Sequence, residues 1–443
     1  MSAYDYLIIG GGMVADAAAR GIRELDDTGT IGILSADVDE PYARPALSKK
    51  LWVDPDFTWD QTPLGTSDAT GAEITLSTLV TGIDREAKTV TTDGGDTVSY
   101  GKLLLATGSK PIEIDVPDSS RILFFRSASD YRRLRELSED GAHAVVVGGG
   151  YIGTEIAAAL AQNDVEVDLV FPDEVLGAST FPPALAERFQ ELFVEHGVGL
   201  VPGRRVEGVR AEVRAPFDEA ADAADAADAT AEHADADAAA DTPASASDSP
   251  ETSPAGVTVV FDNGAETEAD FVVFGLGATA VVDLAEESGL VVDEGGVVVD
   301  AQLRTIDPSI WAAGDIAVYP DPVLGQTRVE HVDNANEMGA AAGRSMAGSA
   351  EPYSHTPYFY SMVFGTRWEA VGTLDPELDV LEAELPESGE SDESRVLYFR
   401  DKSGAPVGVL LWDVGEDEAL RDAARSVIDD GVTSTDELRT RIR

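Results

Sequence analysis

Cysteine is absent from the 443 residues. Its absence excludes a disulfide redox pair, a cysteine nucleophile, a sulfenic acid, thiolate-bound zinc and an iron–sulfur cluster. Positive charge is scarce as well: 31 Lys and Arg stand against 83 Asp and Glu, a formal charge of −52. Such a surface repels nucleic acid and anionic membranes. Lysine contributes only Lys49, Lys50, Lys88, Lys102, Lys110 and Lys402. No apolar run approaches the roughly 18 residues of a membrane span. Residues 1–9 lack the basic stretch that opens a signal peptide. These absences predict a soluble, cytoplasmic chain with no metal site, no membrane span and no nucleic-acid partner.

Hydrophobic residues make up 43% of the chain, enough for a core, and the length suggests about three domains. Residues 215–256 hold eleven acids and no Lys or Arg, and consist almost wholly of Ala, Asp, Ser, Thr, Pro and Glu. They read as a disordered acidic insertion between two strands, because so little apolar surface cannot offset ordering entropy. The acids are not confined to that block. At molar salt the Debye length falls to about 3 Å and the self-repulsion is screened, so the spread of acids predicts a halophilic protein from a salt-rich cytoplasm.

Residues 4–9 (YDYLII) form a buried-strand pattern that leads into Gly10, Gly11 and Gly12, then an alanine-rich helix and a second strand near residues 30–35. Gly10-x-Gly12-x-x-Ala15 is a dinucleotide-binding fingerprint. The first glycine permits the tight turn, the second admits a pyrophosphate, and the helix N-terminus offers N–H groups to the phosphates. Asp37, just past the second strand, is placed for ribose hydroxyls. The grammar returns at residues 144–147, with Gly148-x-Gly150-x-x-Gly153, a helix, and a strand near residues 165–171. After it come Asp173 and Glu174, with no Lys or Arg before Arg188. Carboxylates at that place predict NADH rather than NADPH. Two such units imply two parallel-sheet, Rossmann-like domains. Strand-like runs between residues 353 and 413 suggest a third domain of α+β type.

Other segments carry a resemblance. Ala106-Thr107-Gly108 follows a strand, Gly314-Asp315 follows another, and Arg328-Val329-Glu330-His331 precedes a small-residue helix. With Pro41-Tyr42-Ala43-Arg44-Pro45-Ala46-Leu47-Ser48-Lys49, Trp368-Glu369-Ala370-Val371-Gly372 and Arg400-Asp401-Lys402, they resemble the FAD-dependent pyridine-nucleotide reductases. The likeness is to the branch of ferredoxin and rubredoxin reductases and apoptosis-inducing factor. It implies an α/β fold with an FAD domain (1–115 and 284–349), an NAD domain (116–283) and a C-terminal α+β domain (350–443). It also implies that Gly10, Gly12 and Ala15 hold the FAD pyrophosphate, Arg44 and Lys49 the flavin side, and Val80 the adenine. Ala106, Arg126 and Asp315 would lie along the same cofactor. Gly148, Gly150, Tyr151, Gly153, Asp173, Gly275, Glu330 and Glu369 would serve NAD(H), and His331 would lie near the flavin. Departures are Ala36 where relatives place a glutamate, Tyr360-Ser361-Met362 in place of Trp-Ser-Asp, and no Pro-Asn after Gly275.

Lys49 and Glu155 are the expected catalytic pair: an ammonium held by a carboxylate beside the flavin would keep positive potential where negative charge gathers. The bland alternative is two exposed charges on separate domains. Arg132, Arg133 and Arg135 read as a solvated helix face rather than a carrier-docking patch. The expected activity is hydride uptake from NADH by FAD, with electrons passed to an external ferredoxin-like protein or small quinone. The rival reading is a redox-sensing flavoprotein with slow turnover. An oligomer stays possible under both.

Overall fold

The computed structural model describes residues 2–139, 141–212, 256–321, 325–384, 394–414 and 417–442. Its first sheet is built around Ser2–Ile9, whose last four residues are buried. This strand runs parallel to Ile31–Leu34 on one side and to Thr97–Leu105 on the other. Such near-continuous apolar runs are what a sheet covered on both faces requires. Glu73–Thr75 closes one edge, while Thr89–Thr92 and Val80–Asp84 extend the other in antiparallel pairing. Ile310–Ala312 joins in parallel beside Thr97–Leu105, so the chain leaves this unit and later returns to it.

The helix Met13–Arg23 packs against Val332–Met346 almost backbone to backbone. A methyl group at Gly343 would lie 2.1 Å from the Ala18 carbonyl oxygen, and one at Gly21 would lie 2.2 Å from that of Ala340. The alanines and glycines of both helices are therefore a packing requirement, and the contact ties the C-terminal part of the first unit to its fingerprint.

A second sheet of five parallel strands repeats the plan. Its order is Gly199–Val201, Glu166–Val170, His143–Val147, Phe271–Phe274 and Ile122–Phe124. The third is an antiparallel five-stranded sheet ordered Tyr358–Val363, Thr366–Gly372, Pro406–Trp412, Arg395–Arg400 and Asp379–Glu384, followed by the helices Glu418–Asp430 and Thr435–Arg441. Trp368 and Trp412 lead from it into the core of the second unit, edge-on to Phe181 at 5.3 and 5.6 Å. The functional seam lies where these units meet. Among the described residues, no helix is long and apolar enough to cross a membrane.

Val206–Glu212 pairs antiparallel with Gly256–Phe261, with Glu212 opposite Gly256. The acidic insertion expected at 215–256 lies outside the described residues, apart from Gly256. Because the two strand ends face each other, a tight turn suffices to join them. Excising the insertion with a short Gly/Ser bridge is therefore expected to leave FAD content and reduction by NADH near wild type. Loss of flavin at matched salt would overturn this.

Candidate functional site

The fingerprint glycines are dictated by their neighbours. Gly10 has φ of +109°, and a methyl group there would lie 2.1 Å from the Ala106 carbonyl oxygen. Gly148 has φ of +126°, and its methyl group would lie 2.3 Å from that of Gly275. In both units the turn after the first strand is thus closed by a loop that follows another strand of the same sheet. The third positions differ: a methyl group at Gly153 would lie 1.9 Å from the Gly148 carbonyl oxygen, whereas Ala15 fits, fully buried. The middle positions are open. A methyl group at Gly12 or Gly150 would meet nothing within 4 Å, and neither helix start has a side-chain cap. Two uncapped helix N-termini with room in front of them fit a pyrophosphate each.

Around the first opening, Asp37 lies just past Ile31–Leu34. Its Oδ2 accepts from the Tyr42 hydroxyl at 3.3 Å and stands 3.7 Å from the Arg44 guanidinium. Arg44 also donates to the Arg126 carbonyl at 3.1 Å. Arg126 pairs with Asp315 Oδ2 at 2.9 Å, and Ser109 donates to the same oxygen at 3.0 Å. Asp315 lies inside the turn Gly314–Ile316, whose capping residue is Ala313, so its carboxylate is not spent on a helix end. Arg328 donates to the Asp315 carbonyl at 2.9 Å and pairs with Glu330. Val80, 7% exposed, opens its strand nearby in sequence to the Ser77–Asp37 backbone bond.

At the seam, Lys49 Nζ lies 2.6 Å from Glu155 Oε2, with side chains only 11% and 3% exposed. The alternative of two exposed charges is thereby corrected: the second fingerprint helix, the Arg44–Ser48 turn and the Tyr358–Val363 strand enclose the pair. Ser48 donates to Glu155 Oε2 at 2.5 Å and Ser361 to Oε1 at 2.7 Å. Both carboxylate oxygens are therefore satisfied, as a buried charge requires. Tyr360 presents its ring to Lys49 at 5.3 Å and to Arg367 at 4.5 Å.

His331 caps the helix Val332–Met346. The backbone N–H groups of Asp333 and Tyr360 point at its two ring nitrogens, at 3.3 and 3.2 Å. Burial pushes its pKa down to about 4, with the Lys49 charge acting in the same direction and Asp333 opposing. The ring is neutral over the working range. The unfolded chain binds a proton near pH 6.5 that the folded chain refuses until about 4. Its contribution to stability is full above pH 6.5 and is lost as pH falls toward 4. We expect its ring-proton NMR shift to stay constant from about pH 5.5 to 8; an inflection in that range would contradict the assignment.

Tyr151, 44% exposed, stands at the start of the second fingerprint helix with its ring 5.4 Å from Trp368. Burial and the Glu155 charge hold its phenol up at about 12. Asp173 and Glu174 are exposed beyond Glu166–Val170. Glu369, expected to help bind NAD(H), is 1% exposed and held by Arg367 at 2.6 Å and Arg421 at 3.0 Å. Its charge is neutralised within the sheet, on the strand position directly opposite Tyr360. Arg132 pairs with Asp39 and covers Trp59, Arg133 pairs with Glu136, and Arg135 covers Trp52. None of the three is a free basic patch. Sequence reasoning missed Ser48, Ser109, Arg328, Tyr360, Ser361 and Trp368 as site residues. Ser48 adjoins Lys49 and Ser361 sits in the departure at 360–362, but serine carries no signal until its partner is known.

Residues 4–238 and 220–339 match the model of the family described as pyridine nucleotide-disulphide oxidoreductase. The chain belongs to this family. It is 30% identical over 407 residues to a peroxisomal monodehydroascorbate reductase 2 of Oryza sativa subsp. japonica, covering 85% of this chain and 76% of the relative. It is also 30% identical over 380 residues to the ferredoxin–NAD(+) reductase component of the anthranilate 1,2-dioxygenase system of Burkholderia cepacia, covering 84% and 82%. The ferredoxin reductase structure for the CYP199A2 system from Rhodopseudomonas palustris superposes with a TM-score of 0.77 at 26% identity, covering 97% and 96%. The chain is an α/β protein that works with FAD and NAD(P)H. Without cysteine, it has no disulfide of its own to reduce.

Proposed function

We propose that the chain is an NADH-dependent reductase of a ferredoxin-like protein, with FAD on residues 1–115 and 284–349 and NAD(H) on residues 116–283. The observation that carries this reading is the presence of two open fingerprint turns, at Gly12 and Gly150, together with a buried Lys49–Glu155 pair on the helix that Gly150 opens. When bound, FAD supplies a two-electron acceptor for hydride and a means of releasing electrons to a carrier. The residues of the chain do the rest. Gly10, Gly12 and Ala15 admit the pyrophosphate, Arg44, Arg126 and Asp315 flank it, and Asp37 faces a ribose. Lys49 holds positive charge at the reacting face, and Glu155, Ser48 and Ser361 fix it there. Tyr151 borders the approach of the nicotinamide. Neutral His331 caps the helix Val332–Met346 through Nδ1 and supplies no proton.

An external acceptor follows from the missing cysteines, and a ferredoxin-like protein is favoured by the Burkholderia relative. The acids spread along the chain support work in a salt-rich cytoplasm. Stopped-flow reduction by NADH at molar salt, followed by mixing with ferredoxins and quinones, tests the reading. Rapid re-oxidation by a ferredoxin is expected. A reduced protein that outlasts every acceptor overturns it in favour of a sensor.

Asp173 and Glu174 lie where a 2′-phosphate would be repelled, so kcat/KM for NADH should exceed that for NADPH. Equal or better values with NADPH, from steady-state rates at one salt concentration, would refute the preference.

A further inference from the structure

Tyr360 carries two cations on one ring. Lys49 Nζ stands 5.3 Å from its centroid and the Arg367 guanidinium 4.5 Å, both within cation–π range. Each cation has its own carboxylate, Glu155 for Lys49 and Glu369 for Arg367. Strand pairing sets up the second. Tyr360 lies opposite Glu369, and Arg367 precedes Glu369 by two residues, so the three side chains share one face of the sheet. Arg367 Nε donates to Glu369 Oε1 at 2.8 Å, and Nη2 lies 2.6 Å from the same oxygen. Arg421, from the helix Glu418–Asp430, donates to Oε1 at 3.0 Å and to Oε2 at 3.2 Å. Its guanidinium lies over the Tyr358 ring at 4.9 Å, and Tyr358 is stacked with Tyr360 at 6.1 Å. Glu369 is thus the shared anchor of two guanidinium groups, each laid over a tyrosine of the neighbouring strand.

We propose that Arg367 is a positioning residue for the reductase reaction: anchored by Glu369, it holds the Tyr360 ring against Lys49 and so keeps the ammonium at the reacting face. The inference rests on the reading that places the flavin beside Lys49. Arginine suits the task because its planar fork bonds a carboxylate through its N–H edge while its flat face stacks on a ring. An ammonium has no such face. Stability alone gives little reason for the arrangement, since a buried Arg–Glu–Arg set is often no more stable than apolar residues of the same volume. What the set contributes is a fixed place for the tyrosine. Glu155 gives the Lys49 ammonium one fixed contact, and the braced ring gives it a second.

The test uses Arg367→Met, Arg367→Lys, Tyr360→Leu and Tyr360→Phe in the holoenzyme. Arg367→Met leaves Glu369 paired with Arg421, so the buried charge stays compensated. The limiting rate of flavin reduction by NADH should fall about 3- to 10-fold in Arg367→Met and Tyr360→Leu, the span of one partly desolvated cation–π contact, with KM for NADH unchanged. Arg367→Lys keeps the charge but loses the flat face and should fall nearly as far, whereas Tyr360→Phe should stay near wild type. In a Lys49→Ala background, Arg367→Met should add nothing. The flavin-free protein gives a reading apart from turnover. The chain has only six lysines, and reductive methylation read by tandem mass spectrometry follows Lys49 by itself. Its labelling should speed up by a similar factor in Arg367→Met and Tyr360→Leu, and stay unchanged in Tyr360→Phe. A wild-type reduction rate in both Arg367→Met and Tyr360→Leu, an equal further loss in the Lys49→Ala background, or unchanged labelling would overturn the inference. So would a wild-type rate in Arg367→Lys alone, which would mean that charge and not stacking matters. Wild-type reduction by Lys49→Ala, with labelling still faster in Arg367→Met, would instead overturn the reading of where the flavin lies.

Discussion

Replacing Lys49 with alanine is expected to slow reduction of the flavin by NADH about 100-fold, the lower end of the range for losing one preorganised electrostatic contact. The ammonium is 2.6 Å from Glu155 and almost wholly buried, so no solvent charge replaces it at once. Stability will fall too. Removing one partner of a buried pair leaves the other uncompensated, at a cost of about 3 to 5 kcal/mol, although Ser48 and Ser361 still donate to Glu155. Two comparisons separate rate from stability. Lys49→Met/Glu155→Gln removes both charges and keeps the volume, so it should recover much of the melting temperature without recovering the rate. Glu155→Gln alone keeps one serine donating to the amide oxygen and makes the other accept from the amide NH2; it loosens the ammonium, and should slow reduction by less than Lys49→Ala. Rapid mixing with the FAD content matched among variants checks this. Wild-type reduction rates in both Lys49→Ala and Glu155→Ala would remove the pair from the reaction.

What the sequence makes legible divides along physical lines. The strand–glycine–helix units are readable because a doubly covered parallel strand must be continuously apolar and because Gly10 and Gly148 occupy backbone space that no side chain can share. The Lys49–Glu155 pair is readable from two clues together: a rare lysine in a distinctive segment and an acid on the inner face of the second fingerprint helix. The antiparallel sheet near the C-terminus is only half readable. Thr366–Gly372, Arg395–Arg400 and Pro406–Trp412 are apolar, but the edge strand Asp379–Glu384 (DVLEAE) alternates weakly, and the pairing of Tyr358–Val363 depends on a distant partner. Glu369 is ambiguous for a similar reason. A glutamate in a strand gives no sign of whether it faces a ligand or two arginines supplied by Arg367 and by a helix fifty residues on.

The second large effect separates folding from cofactor approach within one glycine-rich turn. Gly12 has φ of −94° and ψ of −165°, a conformation any residue adopts, and a methyl group there would meet no protein atom within 4 Å. Gly12→Ala should therefore fold with a melting temperature, in the flavin-free form, close to that of wild type. Among the described residues the methyl group obstructs nothing, which leaves a ligand that approaches the backbone, so FAD content should fall by about tenfold or more if the pyrophosphate sits against this turn. Gly150, at φ of −85° and ψ of −171°, gives the matching variant. Gly150→Ala should keep its FAD and raise KM for NADH. Gly10→Ala and Gly153→Ala should behave differently from both, because their methyl groups would lie 2.1 and 1.9 Å from carbonyl oxygens and must distort the turn itself. Their flavin-free forms should melt lower. Absorbance ratios at the flavin and protein bands, with calorimetric melting of the flavin-free proteins, read the two effects separately. A Gly12→Ala protein that keeps stoichiometric FAD would show that the first opening is not where the pyrophosphate lies, whatever the fold implies.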